Sequence, residues 1–169
     1  MSLRTLILAD PYNEDHVSAI ENFERENDLT PTVSSSLKQL ANSMSKDDYQ
    51  NAKREANEID EYLFLSEKGT IKACGKLHSY KDVKSSYISF VEGKERARLI
   101  PLMTEYAFAA LPAYEIYATS EITDKDLTKE LLEYGYESLG FDNKKETFVK
   151  ERQMVERLQN EERKGRQEK

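Results

Sequence analysis

Blocks of apolar and polar residues alternate along the chain with the spacings of strands and helices. The apolar run at 4–9 predicts a first strand. Between 15 and 27, apolar residues recur three apart at Val17, Ile20 and Phe23, while charged residues occupy 21 and 24–26. That spacing places the three apolar side chains on one side of a helix, so the segment 15–27 is predicted to be an amphipathic helix.

The next segment, 30–44, carries mixed signals. Pro31 and the serine run 34–36 favour a loop, whereas Leu37 and the apolar residues after it favour a short helix that follows a serine cap. A polar helix is predicted from 45 to 59.

Three strand-like runs follow at 61–67, 70–78 and 86–91, separated only by short polar turns. Parallel neighbours need long crossover connections, so short turns predict an antiparallel meander. Gly75 lies inside the second of these runs, where a glycine permits a close neighbour or marks a bulge.

A helix is predicted from 99 to 111, because apolar residues recur at helical spacing until Pro112 stops the pattern. The strand predicted at 113–118 is therefore reached by a strand–helix–strand connection. Such a connection normally places the two strands parallel.

The last folded stretch begins with Thr123, a residue able to cap a helix N-terminus. Apolar spacing then predicts a helix that continues to Leu139 and ends at Gly140, because glycine is favoured at helix C-termini. A short final strand is predicted at 147–149.

These elements predict an α+β fold: one mixed, mostly antiparallel sheet of six to seven strands, flanked by helices. The folded domain is expected at 1–150. The tail at 151–169 is almost entirely charged or amide-bearing, which favours a solvated helix that frays into disorder. A coiled-coil or partner-binding helix is the alternative for this tail.

Composition narrows the possible functions. A net charge of −7 opposes a nucleic-acid role, because phosphate backbones require a basic surface. No apolar run is long enough to span a bilayer and no signal peptide is recognised, so we expect a cytoplasmic protein with no membrane partner. Cys74 is the only cysteine, either a small buried side chain or a nucleophile, and the two histidines share no metal-ligand spacing.

The phrase 136–141, read as YESLGF, resembles the late helix of the GNAT acetyltransferase superfamily, in which a tyrosine and Leu-Gly-Phe precede a final strand. The element order over about residues 4–150 resembles the order of that family as well. The resemblance implies that acetyl-CoA enters a V-shaped gap between the fourth and fifth strands.

The resemblance also implies which residues hold acetyl-CoA, at the end of the fourth strand and in the loop before the next helix. They are Phe90, Val91, Gly93, Lys94, Arg96, Ala97 and Arg98. The loop departs from the family's glycine-rich pattern, because Glu95 stands where a glycine is usual. Lys94, Arg96 and Arg98 could supply countercharge to phosphate, or they could simply form an exposed basic helix start.

By position in the family, Tyr136 is the general acid that protonates the leaving thiolate, with a tyrosine packed at the sheet edge as the alternative reading. His78 has the most suitable intrinsic pKa for a base, although it could equally be a surface residue. The predicted function is therefore transfer of an acetyl group to a primary amine of a small molecule or peptide. The alternatives left open are a non-catalytic binding module on the same scaffold and a possible homodimer.

Overall fold

A computed structural model of the chain describes residues 4–152. Within this part the chain forms seven strands and five helices, and their order agrees with the α+β prediction. The strands are β1 (Arg4–Leu8), β2 (Glu58–Glu67), β3 (Thr70–Tyr80), β4 (Ser85–Glu92), β5 (Glu115–Glu121), β6 (Glu137–Asp142) and β7 (Lys145–Glu151). The helices are α1 (Glu14–Glu26), α2 (Thr32–Ser43), α3 (Lys46–Glu55), α4 (Arg96–Ala110) and α5 (Lys125–Glu133).

All seven strands belong to one sheet with the order β1-β2-β3-β4-β5-β7-β6. The pairs are antiparallel except β4 with β5, which are parallel and joined through α4. The predicted meander of β2, β3 and β4 and the predicted parallel neighbour are therefore confirmed. A crossover helix between two neighbouring strands forces that parallel direction.

The helices form a layer on each face of the sheet. Helices α4 and α5 cover one face, where Leu63, Leu77, Ile116 and Phe148 form the larger core with residues of α4. Helices α1 and α2 cover the other face over β1 to β3, in a smaller core that reaches β4 only at Phe90. Most of β4 to β6 is therefore left without a helix of the described residues on that second face.

Helix α2 corrects the prediction of a loop around the serine run. The helix begins at Thr32. Pro31, which occupies the N-cap position, provides no side-chain hydrogen bond to the helix. The buried carboxylate of Glu24, on α1, accepts hydrogen bonds from the backbone N–H groups of Val33 and Ser34 at 3.1 and 3.3 Å. The cap of α2 thus comes from a different helix, and no local sequence pattern predicts it.

The end of the fold differs from the prediction in a second way. Helix α5 ends at Glu133, so a helix running to Leu139 is wrong. Gly135, with φ +96°, is the glycine that follows the helix. Gly140 lies instead within β6, where the register with β7 shifts. In the phrase 136–141, Tyr136 therefore connects the turn after α5 to the sheet, and 137–141 lie in the additional strand β6 rather than at a helix end.

Smaller differences concern where elements begin. Strand β2 begins at Glu58, so the polar helix before it stops at Glu55, sooner than predicted. Helix α4 begins at Arg96, within the segment predicted to be a loop. The tail predicted to be helical lies mostly in 153–169, outside the described residues. Within the described part, no helix is both long and apolar enough to cross a membrane.

Candidate acetyl-donor site

The parallel strands β4 and β5 separate along their length. Their pairing starts at Ser85 with Glu115 and ends at Ile88 with Ala118, although both strands continue beyond that pair. The register between β3 and β4 shifts at the same level, leaving Ser89 as an extra residue in β4. A bulge of this kind bends its strand, which accounts for the divergence of β4 from β5. We call the resulting gap the slot.

The loop that closes the wide end of the slot depends on Gly93. Its φ is +116°, a conformation that other residues rarely adopt. A Cβ at this position would lie 2.6 Å from the carbonyl oxygen of Lys72, on the neighbouring strand β3. The loop is therefore pressed against the sheet at a point that only glycine can occupy.

Helix α4 starts directly after this loop, with no side-chain cap at its N-terminus. The carboxylate of Glu95 is 3.6 Å from Nε of Arg98, one turn further along. Glu95 therefore pairs along its own helix. The N-terminus of α4, which carries the positive end of the helix dipole, has no acidic residue in its first turn.

Arg96 is engaged by carboxylates of the facing helix. Its guanidinium donates to both oxygens of Asp124, at 2.8 and 3.1 Å, and Nε donates to Glu130 at 2.9 Å. Asp124 is also the N-cap of α5, because it accepts from the N–H of Leu127. The hydrogen bonds from Arg96 lower the pKa of Asp124. Arg96 thus ties the starts of α4 and α5 together across the wide end of the slot.

The other residues predicted to hold acetyl-CoA surround this region in different orientations. Val91 is buried in the core under α4, and the ring of Phe90 faces the opposite side, 6.4 Å from the ring of Tyr62. Lys94, Ala97 and Arg98 are exposed. The residues are therefore adjacent in space, with cations at the mouth of the slot and the strand backbone along its side.

Tyr136 lies in the turn between α5 and β6, with its side chain fully buried against α4. Its hydroxyl is 2.7 Å from Oγ1 of Thr104, which in turn donates to the carbonyl of Ile100. Because the single proton of Thr104 is used on Ile100, Tyr136 must be the donor to Thr104. Burial raises the pKa of Tyr136, so its hydroxyl is protonated at neutral pH.

His78 is held between two carboxylates of β2. Its Nδ1 bonds to Asp60 and its Nε2 to Glu58, the latter at 2.7 Å. The pKa of His78 is raised, chiefly by the hydrogen bond to Asp60. Partial burial acts in the opposite direction and lowers the pKa. A ring that donates from both nitrogens has no lone pair left to accept a proton. This arrangement does not suit the general base that the sequence suggested.

A cavity of about 940 Å³ lies beside the N-terminal half of β2, between that strand and helices α2 and α3. Glu61 stands in its wall, buried, with its carboxylate bonded to Nζ of Lys53 at 2.9 Å and to the hydroxyl of Tyr106. Burial and the Glu61 carboxylate raise the pKa of Tyr106. Residues of three separate segments meet here, which explains why sequence spacing gave no sign of this network.

Cys74 is packed in the smaller core between α1 and the sheet. Burial raises the pKa of its thiol to about 12. Such a thiol is protonated at neutral pH and is not a nucleophile, which favours the reading of Cys74 as a buried core residue.

Comparison by sequence gives no match, either to a family model or to a curated protein. Comparison by structure does. The N-acetyltransferase PseH of Campylobacter jejuni superposes with a TM-score of 0.62 at 11% identity, over 89% of this chain and 99% of that one. The ribosomal-protein-S5-alanine acetyltransferase of Vibrio fischeri superposes with a TM-score of 0.66 at 13% identity, over 89% and 96%.

Mutant forms of the spermidine/spermine N-acetyltransferase SpeG of Vibrio cholerae give a TM-score of 0.61 at 12% identity, over 94% of this chain and 98% of that one. The proteins from Vibrio fischeri and Vibrio cholerae act on different acceptors, and all three proteins share one architecture. The chain therefore has the fold of the GNAT N-acetyltransferases. Identities this low establish the fold, and the activity has to be argued from the site.

Proposed function

We propose that the protein is an acyltransferase that moves an acetyl group from acetyl-CoA to a primary amine, acting in the cytoplasm. The slot between β4 and β5 is the observation that carries this proposal, because it stands at the one parallel pair of an otherwise antiparallel sheet. A structural neighbour, PseH of Campylobacter jejuni, has also been solved in complex with acetyl coenzyme A. That donor would supply the activated acetyl group.

The residues along the slot suit the pantetheine part of such a donor. Beyond Ile88, the backbone of β4 leaves its pairing with β5, so its polar groups can serve a bound amide chain. At the mouth, the uncapped N-terminus of α4 and the exposed Lys94 suit phosphate. Arg98 is exposed as well, but its guanidinium lies 3.6 Å from the carboxylate of Glu95. Arg96 suits phosphate less well, since Asp124 and Glu130 already engage its guanidinium.

We assign the general acid to Tyr136. The assignment rests on the family resemblance, and the raised pKa of Tyr136 keeps the proton on its hydroxyl at neutral pH. The hydroxyl is buried and donates to Thr104, so it must leave that hydrogen bond before it can protonate a thiolate. A tyrosine can protonate a departing thiolate of similar basicity. The amine must arrive unprotonated, and the proton that its nitrogen loses as the amide forms passes to solvent, from which the tyrosinate regains its own proton. His78 is not assigned a role in that step, because both of its ring nitrogens are bonded to carboxylates.

Calorimetry with acetyl-CoA tests the proposal directly, followed by a thiol-release assay with primary amines. We expect saturable binding with one site per chain, and amine-dependent release of CoA. Glu95→Gly is an informative variant, because it restores the glycine of the family's loop; Glu105→Gln, an exposed carboxylate in the middle of α4, is the matched control. Absence of saturable binding in the natural protein would overturn the assignment.

A non-catalytic module on the same scaffold is the second candidate, and the engagement of Arg96 favours it. A cation that is paired with two carboxylates contributes less to phosphate binding than a free one. If acetyl-CoA binds only to Glu95→Gly and not to the natural chain, the second candidate is supported and the enzyme is not.

A further inference from the structure

The second face of the sheet, from β2 across to β6, carries a row of cross-strand neighbours that combines carboxylates with aromatic rings. Register places Asp60 of β2 beside His78, His78 beside Tyr87, and Tyr87 beside Tyr117. The row continues through Val149 of β7 to Glu137 of β6, and so crosses six strands. Side chains of directly paired residues point to the same face, so the row is continuous.

A second row lies next to the first, on the same face. Glu58 pairs with Tyr80, which pairs with Ser85; Ser85 pairs with Glu115, and Glu115 with Glu151. The two rows together make up what we call the acidic aromatic face. It holds five carboxylates and one histidine, with Lys76 beside Asp60 at 3.9 Å, so its net charge stays negative even with the imidazole protonated.

The aromatic rings of this face touch one another. Centroids are 4.9 Å apart for His78 and Tyr80, 5.9 Å for Tyr80 and Tyr87, and 5.0 Å for Tyr87 and Tyr117, the last pair being stacked. Tyr87 is 41% exposed, although it lies in the middle of the sheet. Tyrosine faces attract ammonium and guanidinium groups, so the rings add to the attraction of the carboxylates.

The position of this face connects it to the slot. Tyr87 and Tyr117 form the last pair but one before β4 and β5 separate at Ile88 and Ala118. Their side chains lie on the face opposite to α4, because Ile116 and Ala118 are in the core beneath that helix. An acceptor that reaches the slot from the side away from α4 and α5 therefore crosses the acidic aromatic face.

The length of the first row favours an extended ligand over a small amine as the molecule that binds this face. Six strands at the ordinary spacing of about 4.8 Å cover about 24 Å, with a carboxylate at each end. An extended chain of about seven residues has that length. We propose that the acidic aromatic face binds an extended segment of a protein, rich in lysine or arginine, and presents one of its amines to the slot.

The binding part of this inference is independent of catalysis, whereas the presentation of an amine rests on the proposed function. The test uses the full chain and a fluorescent heptapeptide with lysine at alternate positions, with a glutamate version of the same peptide as the negative probe. Fluorescence anisotropy is recorded at low and at high salt. We expect saturable binding of the lysine peptide alone, weakening steeply with salt.

Variants locate the binding. Glu115→Gln combined with Glu137→Gln should weaken it at least fivefold, and Tyr87→Ser about threefold, from loss of a cation–π contact. Glu105→Gln combined with Glu133→Gln removes the same charge from the exposed surface of α4 and α5, and should leave binding within twofold. Circular dichroism of each variant confirms that it is folded.

Several results would overturn the inference. These are no binding of the lysine peptide to the natural chain, equal weakening in both pairs of variants, or equal affinity for a simple diamine. A dimer that dissociates in Tyr87→Ser, seen by sedimentation together with no peptide binding, would assign the face to a second copy of the chain. Peptide binding without any acetyl-CoA binding would preserve the face as a docking surface and remove the proposed transferase.

Discussion

The guanidinium of Arg96 forms two hydrogen bonds to the carboxylate of Asp124, Nη2 to Oδ1 at 2.8 Å and Nη1 to Oδ2 at 3.1 Å. The contact joins the first residue of α4 to the N-cap of α5. In a sheet whose parallel strands separate, these two helix starts flank the wide end of the slot. The pair therefore holds the two helix starts together at the mouth of the slot, where the proposed donor would place its phosphates.

Replacing Asp124 by Asn should have opposite effects on donor binding and on stability. The amide can still cap α5, but Arg96 is released from its ion pair, so we expect acetyl-CoA to bind about threefold more tightly. The lost pair should cost about 1 kcal/mol of unfolding free energy, since both groups are partly exposed. Calorimetry and urea unfolding measure the two effects. Weaker acetyl-CoA binding would show instead that Asp124 orients Arg96 for the phosphate.

Gly93→Ala should be far more damaging than Gly69→Ala. Both glycines have positive φ, +116° and +78°, so both variants carry backbone strain of about 1 kcal/mol or more. Only at Gly93 would the new Cβ meet backbone, 2.6 Å from the oxygen of Lys72, whereas Gly69 has open space. We expect Gly93→Ala to lose at least about 2 kcal/mol more and to abolish acetyl-CoA binding. Equal losses of stability would contradict the close approach of this loop to β3.

Tyr136→Phe and Thr104→Val separate a chemical role from a packing role. Each variant breaks the same buried hydrogen bond, so Tyr136→Phe should lower the unfolding free energy by about 1 kcal/mol. Thr104→Val should lower it by about 1 to 3 kcal/mol, because the buried hydroxyl of Tyr136 loses its acceptor. Only the tyrosine carries the proposed proton, so only Tyr136→Phe should lower kcat, by about a hundredfold, with little change in KM. If both variants keep the turnover of the natural enzyme, Tyr136 is a core residue and the acid lies elsewhere.

His78 should titrate above its ordinary pKa of about 6.5, since Asp60 and Glu58 hold the protonated ring. A pKa raised by folding contributes stability that is complete below about pH 6.5 and is lost as the pH rises through the folded value. The nearby Lys76 and Tyr80 complete the surroundings of the ring. NMR titration of the ring gives the midpoint, and Asp60→Asn should lower it.

The matching stability measurement compares the natural chain with His78→Gln between pH 6 and 9. The natural chain should lose more stability over this range than the variant, because only it releases the proton from the ring. Identical pH profiles would mean that the contacts of His78 with the two carboxylates do not persist in solution.

The sequence predicted the element order well where local periodicity and turns decide it. The strand–turn–strand spacing of β2 to β4 and the helix between β4 and β5 were enough to predict a meander and one parallel pair. It failed at α2, because the cap of that helix is the side chain of Glu24 on another helix. It failed again after Glu133, because Gly135 and Gly140 are equally good helix ends by sequence alone.

The sequence by itself determined the class of this protein: an α+β sheet with a parallel pair at its centre, because hydrophobic spacing and connection length act locally. The tertiary structure alone decided which charges meet. Arg96 reaches Asp124 and Glu130, His78 reaches Asp60 and Glu58, and the ring of Tyr87 stacks on that of Tyr117 in the neighbouring strand. Those contacts join residues about 18 to 34 positions apart, and their strength depends on distances and burial that only the folded sheet fixes.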